Sequence, residues 1–501
     1  MNNKKRYKKK TIILLIVWPC ALVLSICIYF AMKNYVKKNT LEKTTDSGID
    51  ISKHVDLTMY LIGTRPSDMD KVLQKLNEKT EKDLNASLAV EWIGWGDFSK
   101  EYPILLSSGQ PVDLVYASNW LNFYENAQRG AFMELNELIQ KYAPISYSNM
   151  TEEEIEDVSY DGKICAIPSD YTNYSAFGPI IRKDYLEKYG VESIDSFEDY
   201  IDLCCKIGKN DNIDPTGLCS SSIELDDLYL MNKGYYPLSG TGSMYWINLN
   251  DTNHTVYYES ECPVMDYFLE SAKGWYDDGC WNKDALSSKD ETMLESNKAV
   301  SRVHNYDAWI GESGKDNDLD LEYFNLSNPL YKLSAAQDCM AIPNSSTNPE
   351  RALMLLEKLK NDESYYMLIT YGIEGYNYKL VDDKIHFLND TYGNEPGTWG
   401  IRNALFYKQN MAVKDEKYEY RKKYVSEAKE NPMPGFYLNL SEIQKEYEQI
   451  NYVSKLYLDP LVLGYVDYDE GMKMLKENLS QSGNDKVKEH LQKQVDAYFG
   501  K

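Results

Sequence analysis

Val112-Asp113-Leu114-Val115-Tyr116 is the stretch on which the fold turns. Four of its five residues are apolar or aromatic, as expected of a short strand covered on both faces in a parallel sheet. Upstream, Phe98–Ser107 reads as a short helix, and Leu88-Ala89-Val90-Glu91-Trp92-Ile93 as a second strand. Before these, residues 67–80 read as a helix, with Ser67 or Asp68 at its N-cap and Val72, Leu73 and Leu76 on one face. Val55-Asp56-Leu57-Thr58-Met59-Tyr60-Leu61-Ile62 is a strand pattern that ends at Gly63. Downstream, a helix is expected over residues 121–129. This alternation implies an α/β fold, a parallel sheet covered by helices.

The middle of the chain repeats the theme. Strands are expected at 163–168, 180–182, 299–303 and 338–342. Helices are expected at 183–189, from 196 onward with a capping-box-like start, at 263–279 and at 349–360. The last 75 residues read as mostly helical, near 440–456, 468–479 and 484–499.

Charge divides the chain. Of its 501 residues, 54 are Lys or Arg and 78 are Asp or Glu. Six of the basic residues lie within residues 1–10, and residues 11–32 carry no charge. The rest therefore holds 48 basic and 78 acidic residues, a net of −30. A surface this acidic repels phosphate backbones, which argues against nucleic acid as a partner. The run 11–32 is long enough to cross a bilayer as a helix. The basic cluster before it orients residues 33–501 outward. An uncleaved anchor is the expected reading, with residues 33–54 as a tether. Lipidation at Cys27 is the alternative, although Ile26 before Cys27 and Pro19 before Cys20 both fit such processing poorly.

Seven cysteines lie beyond the anchor, an odd number with no C-x-x-C pair. That supports neither a disulfide framework nor a zinc site. Cys204-Cys205 reads as buried packing. Five histidines are present, with no H-E-x-x-H, no G-x-S-x-G elbow and no phosphate loop. Gly240-Thr241-Gly242 reads as a turn, and Asp316-Asn317-Asp318-Leu319-Asp320 as a solvated turn rather than a calcium loop. No catalytic residue, metal or cofactor is assigned.

Several segments together resemble one family. Ser108-Gly109-Gln110-Pro111-Val112-Asp113-Leu114-Val115 resembles a strand of the extracellular solute-binding proteins of bacterial ABC importers. Residues 130–139 are similar to the helix that follows it there. Tyr160-Asp161-Gly162-Lys163-Ile164-Cys165-Ala166-Ile167-Pro168 resembles the crossing strand, with Cys165 where Tyr is usual, and residues 182–190 match the next block. Residues 348–353 and 371–378 resemble a lipoprotein-like, sugar-type subgroup with an extra C-terminal helical domain of unknown function. Asn377 replaces that subgroup's His.

The resemblance implies a two-lobed periplasmic-binding-protein-like (type II) fold that closes on its ligand by a hinge. Lobe one would take 55–166 and 322–363. Lobe two would take 167–321 and 364–501, including a helical extension at about 440–501. It further implies a monomer, held at the cell membrane with its main domain extracellular, that serves ABC permease subunits.

Ligands of α/β sheets sit beyond the carboxyl ends of strands. That rule selects Arg65, Asn119, Trp120, Asp170, Tyr171, Tyr306, Asp307 and Trp309, with Trp95 after the second strand. Glu374 and Trp399 lie on turns near the return of the second lobe, and Trp246 is added as an aromatic candidate. Sugars need flat aromatic faces together with acids or amides that take hydroxyls. A carbohydrate, specifically an oligosaccharide, is therefore the expected ligand of a non-enzymatic receptor. An extracellular glycoside hydrolase or lyase, and a sensor presenting ligand to a membrane kinase, stay open as alternatives.

Overall fold

The computed structural model describes residues 49–220, 223–315, 319–393 and 395–500. The expected anchor at 11–32, Cys20, Cys27 and most of the tether lie outside the described residues, as does the acidic turn at 316–318. Among the described residues no helix is long and apolar enough to cross a membrane.

Contacts separate two units. The described part of the smaller one comprises residues 49–56 and 77–88. The Asn85 amide donates to the carbonyls of Ile51 at 2.8 Å and Ser52 at 3.1 Å. Ile51 is buried, so the end of the expected tether is packed. Asn77 clamps Leu88 in both directions, accepting from its N–H at 2.7 Å and donating to its carbonyl at 3.0 Å.

The larger unit, Leu57–Leu76 with Ala89–Lys501, is built on two α/β bodies. The first is a five-stranded sheet. Its order is Ala86–Ile93, Val55–Ile62, Leu114–Ala117, Cys339–Ala341 and Ala166–Pro168, the first two strands belonging to this unit from Ala89 and Leu57 onward. Val55–Ile62 and Leu114–Ala117 run parallel, in register Met59 to Leu114. Cys339–Ala341 is antiparallel to both of its neighbours, so the sheet is mixed rather than parallel throughout. The reason is topological: this strand returns from the second body late in the chain, and it enters the sheet from the opposite end. Leu114, Val115, Tyr116 and Ala117 are all fully buried, as the apolar run predicts.

The second body holds Phe177–Arg182 between Ser301–Asn305 and Leu321–Tyr323, antiparallel to both. Helix Phe197–Asn210 packs nearby. Ser196 caps it by accepting from the Asp199 N–H at 3.1 Å. A further antiparallel sheet of Tyr235–Pro237, Tyr245–Asn248 and Val256–Tyr258 gives no clear sequence signal, because its strands are short and aromatic on both faces. The helices Gln444–Val453, Tyr468–Gln481 and Asn484–Tyr498 share a core with this body, where Ile450, Leu475 and Leu491 join Tyr245, Phe268 and Trp281.

Two differences from the sequence reading stand out. Cys205 and Cys280 form a disulfide, with Cα atoms 4.3 Å apart. Gly208 and Gly279 allow the two backbones to meet, since a Cβ on Gly208 would lie 2.0 Å from the Gly279 carbonyl oxygen. The other five described cysteines are buried outside any disulfide, Cys204 among them as expected. The second difference concerns residues 364–400, expected with the second lobe. They bond to the first: Asn377 Nδ2 reaches Asp68 Oδ2 at 3.3 Å, and Trp92 Nε1 donates to the Pro396 carbonyl at 2.9 Å.

Candidate functional site

An aromatic shelf stands at the carboxyl ends of the first-body strands. Trp95 and Trp120 stack with centroids 6.0 Å apart and planes 30° apart. Trp399 lies 5.6 Å from Trp95. Tyr116 adjoins both Trp120 and Trp399 at 5.7 Å, and Phe98 meets Trp120 edge-on at 5.6 Å. Trp95 is 36% exposed, and Trp120 and Trp399 are half-buried. Indole faces open to solvent are what the C–H patches of a sugar ring pack on. Trp399 reaches the shelf because its segment crosses close over two strands. A Cβ at Gly397, where φ is +76°, would lie 2.3 Å from the Ile62 carbonyl oxygen, and one at Gly400 would lie 2.6 Å from that of Cys339. Beside the shelf, Asn119 Oδ1 is buried with no hydrogen-bond partner. A buried acceptor left unsatisfied is costly, and a ligand hydroxyl would relieve it.

Behind the shelf runs a polar network. Tyr116 donates its hydroxyl to Asp338 Oδ1, and Asn173 Nδ2 donates to Asp338 Oδ2 at 2.8 Å. Burial pushes the Asp338 carboxyl up to about 6, against the opposing pull of Arg402. Arg402 forks onto Glu395 at 2.6 and 2.8 Å and donates to Asp307 Oδ2 at 2.8 Å. Tyr171 donates to Asp307 Oδ1 at 3.2 Å. Over the ring of Tyr171 lie the guanidinium carbons of Arg421 at 3.7 Å and Arg402 at 4.7 Å. Asp170 faces Lys360 Nζ at 3.5 Å and accepts from Asn403 Nδ2 at 3.3 Å. Burial raises the Asp170 carboxyl and lowers the Lys360 ammonium.

Of the sequence candidates, Asn119, Trp120 and Trp399 therefore share the shelf, while Asp170, Tyr171 and Asp307 belong to the network. Tyr171 is only 8% exposed, and guanidinium groups cover its ring, so it offers no stacking face. Three aromatic candidates are core. Trp246 is fully buried and donates to the Ser243 carbonyl at 2.7 Å. Trp309 is fully buried, donates to the Leu321 carbonyl at 3.0 Å and stacks on Tyr323 at 5.5 Å. Tyr306 is buried and donates to the Lys417 carbonyl at 2.9 Å. Their indole and phenol groups are satisfied within the protein, which is the usual fate of large aromatics. Arg65 pairs with Asp70 at 2.6 Å. Glu374 sits exposed on a turn that Asn377 pins, its Oδ1 accepting from the Ile373 N–H at 2.9 Å.

Sequence reasoning missed Tyr116, Asn173, Asp338, Glu395, Arg402 and Arg421. Tyr116 was within reach of the strand-end rule, since it closes an expected strand, whereas Asp338 opens one, at the end the rule does not select. Arg402 and Arg421 carry no local signal. Among the described residues, no group of three or more His, Cys, Asp or Glu is arranged to hold a metal ion.

Two α/β bodies, with an aromatic shelf at the strand ends of the first, define a two-lobed solute receptor of type II architecture. The chain belongs to the bacterial extracellular solute-binding proteins, whose family model matches residues 72–380. Residues 432–499 match a domain of unknown function. A carbohydrate ABC transporter substrate-binding protein of Streptococcus pneumoniae is 27% identical over 476 residues, covering 91% of this chain and 93% of the relative. Among solved structures, the N-glycan transport solute binding protein of Streptococcus pneumoniae with Man1GlcNAc superposes with a TM-score of 0.78 at 25% identity, covering 90% of this chain and all of the other. Its complex with Man5GlcNAc gives a TM-score of 0.75 at 26% identity, covering 89% and 98%. The calcium-free alginate-binding protein AlgQ2 shares the fold, with a TM-score of 0.60 at 17% identity over 88% and 98% of the two chains.

Proposed function

We propose that this protein captures an oligosaccharide at the outer face of the cell membrane and delivers it to the permease subunits of an ABC importer. The observation that carries the reading is the shelf of Trp95, Trp120 and Trp399 beside the unsatisfied Asn119 Oδ1. Flat apolar faces next to an unmet acceptor suit a ring that is apolar on its faces and hydroxylated at its edge. The relatives' carbohydrate ligands support the same reading. The two bodies would close on the sugar by a hinge. Attachment to the membrane would come from residues 11–32, as a span or through a lipid on Cys27.

The test is calorimetric titration of the purified full chain against a panel of oligosaccharides, with product analysis of each mixture. Heat of binding without turnover is expected. Binding of peptides alone would overturn the carbohydrate reading, and hydrolysis of any sugar would overturn the receptor reading.

A further inference from the structure

In the part of the chain beyond residue 32, acids outnumber bases 78 to 48, and cations are readily paired. The arginines around the site show it: Arg65 holds Asp70, Arg302 holds Glu312, and Arg402 holds Glu395 and Asp307. Arg421 differs. It projects from helix Asp415–Glu427 and is half-buried, and among the described residues it forms no ion pair, its contacts being two tyrosine rings and a backbone carbonyl. Its guanidinium is nonetheless held in place. It lies over the Tyr171 ring at 3.7 Å and over that of Tyr174 at 5.5 Å. Its Nη2 donates to the Thr172 carbonyl at 2.8 Å. Stacking and one carbonyl bond fix the plane of the fork without an ion pair, and Nε and Nη1 make no hydrogen bond among the described residues. The next residue, Asn173, bonds to Asp338, which bonds to Tyr116 of the aromatic shelf. A chain of contacts thus links the fork to the shelf.

We propose that Arg421 is a specificity-determining residue that pairs with an anionic substituent, a carboxylate or sulfate, of the bound oligosaccharide. A pre-oriented guanidinium is suited to such a group, because its fork matches the paired oxygens of the anion and little rotamer freedom remains to be lost. The inference rests on the carbohydrate reading and narrows it to acidic sugars.

The test is a glycan array probed with the full chain and with Arg421→Gln. Its acidic members are sialyl- and uronate-terminated oligosaccharides and sulfated sugars, and each is matched with its neutral core. The wild-type chain is expected to prefer one acidic member over its core. Arg421→Gln is expected to reduce the preference for that member over its own neutral core about 10- to 100-fold, as loss of a charge-assisted fork requires. If acidic and neutral members bind equally, or if the preference survives Arg421→Gln, the inference falls and the carbohydrate reading stands. If no glycan binds, both fall. Should Arg421→Gln fail to fold, Arg421→Lys serves in its place: it keeps the charge and loses the fork, and the preference must drop about tenfold.

Discussion

At the scale of single residues, Asp338 and the tryptophans carry the sharpest consequences. Folded, the Asp338 carboxyl holds its proton up to about 6, whereas unfolded it releases it near 4. The folded state therefore binds more protons between those values, and stability falls as pH rises through that window. The span corresponds to at most about 3 kcal/mol. Urea unfolding of wild type and Asp338→Asn at several pH values should show the fall in wild type and a flatter profile in the variant. The tryptophans separate by burial. Trp120→Ala is expected to weaken sugar binding by about 2 kcal/mol, as loss of a central aromatic anchor does, with little change in the thermal midpoint. Trp309→Ala should instead cost about 3–5 kcal/mol of stability, read as a collapse of that midpoint. Sequence alone could not make this distinction. Both tryptophans follow strand ends, but only tertiary packing decides that Tyr323 and Lys417 cover one while Trp95 and Trp399 leave the other partly open.

At the scale of elements, local patterns were legible and long-range pairings were not. Phe98–Ser107 and Lys183–Tyr189 form where the periodicity places them. Leu114–Ala117 is buried throughout, as its apolar run demands. The Cys205–Cys280 bond joins residues 75 apart, a pairing that an odd cysteine count cannot reveal. It rests on the close approach of Gly208 and Gly279. Gly208→Ala would place a methyl 2.0 Å from the Gly279 carbonyl oxygen and should destabilise by about 1–3 kcal/mol or more. In the chain-entropy view, closing a loop of this length stabilises by about 4 kcal/mol. Calorimetric scans with and without reductant should therefore differ for wild type and coincide for Cys205→Ser/Cys280→Ser.

At the scale of the whole molecule, the C-terminal helices are part of the second body rather than an appendage. Tyr245 donates to Asn484 at 2.9 Å, Trp281 donates to the Leu463 carbonyl at 3.1 Å, and Ile450, Leu461 and Leu491 are fully or almost fully buried in the shared core. A chain ending at Asn431 would expose the buried faces of Phe268, Tyr245 and Tyr258. Such a truncation is expected to lose cooperative unfolding and to bind the dye ANS, as a chain without fixed packing does. Resemblance to a family made the two-lobed plan legible, since its motifs lie in the strands and crossings. The side on which residues 364–400 pack was not legible. It is set by single contacts, such as Asn377 to Asp68, made across some three hundred residues.

The tryptophan shelf also makes the protein its own optical probe. Three of the nine tryptophans sit within about 6 Å of a neighbour at the site, whereas Trp246, Trp281 and Trp309 are sealed from solvent. Indoles this close couple electronically. A guest laid across them changes their solvation together, while the sealed rings hold a constant background. Intrinsic emission and near-ultraviolet dichroism should then report occupancy without any label, and the signal should come from one face of one lobe.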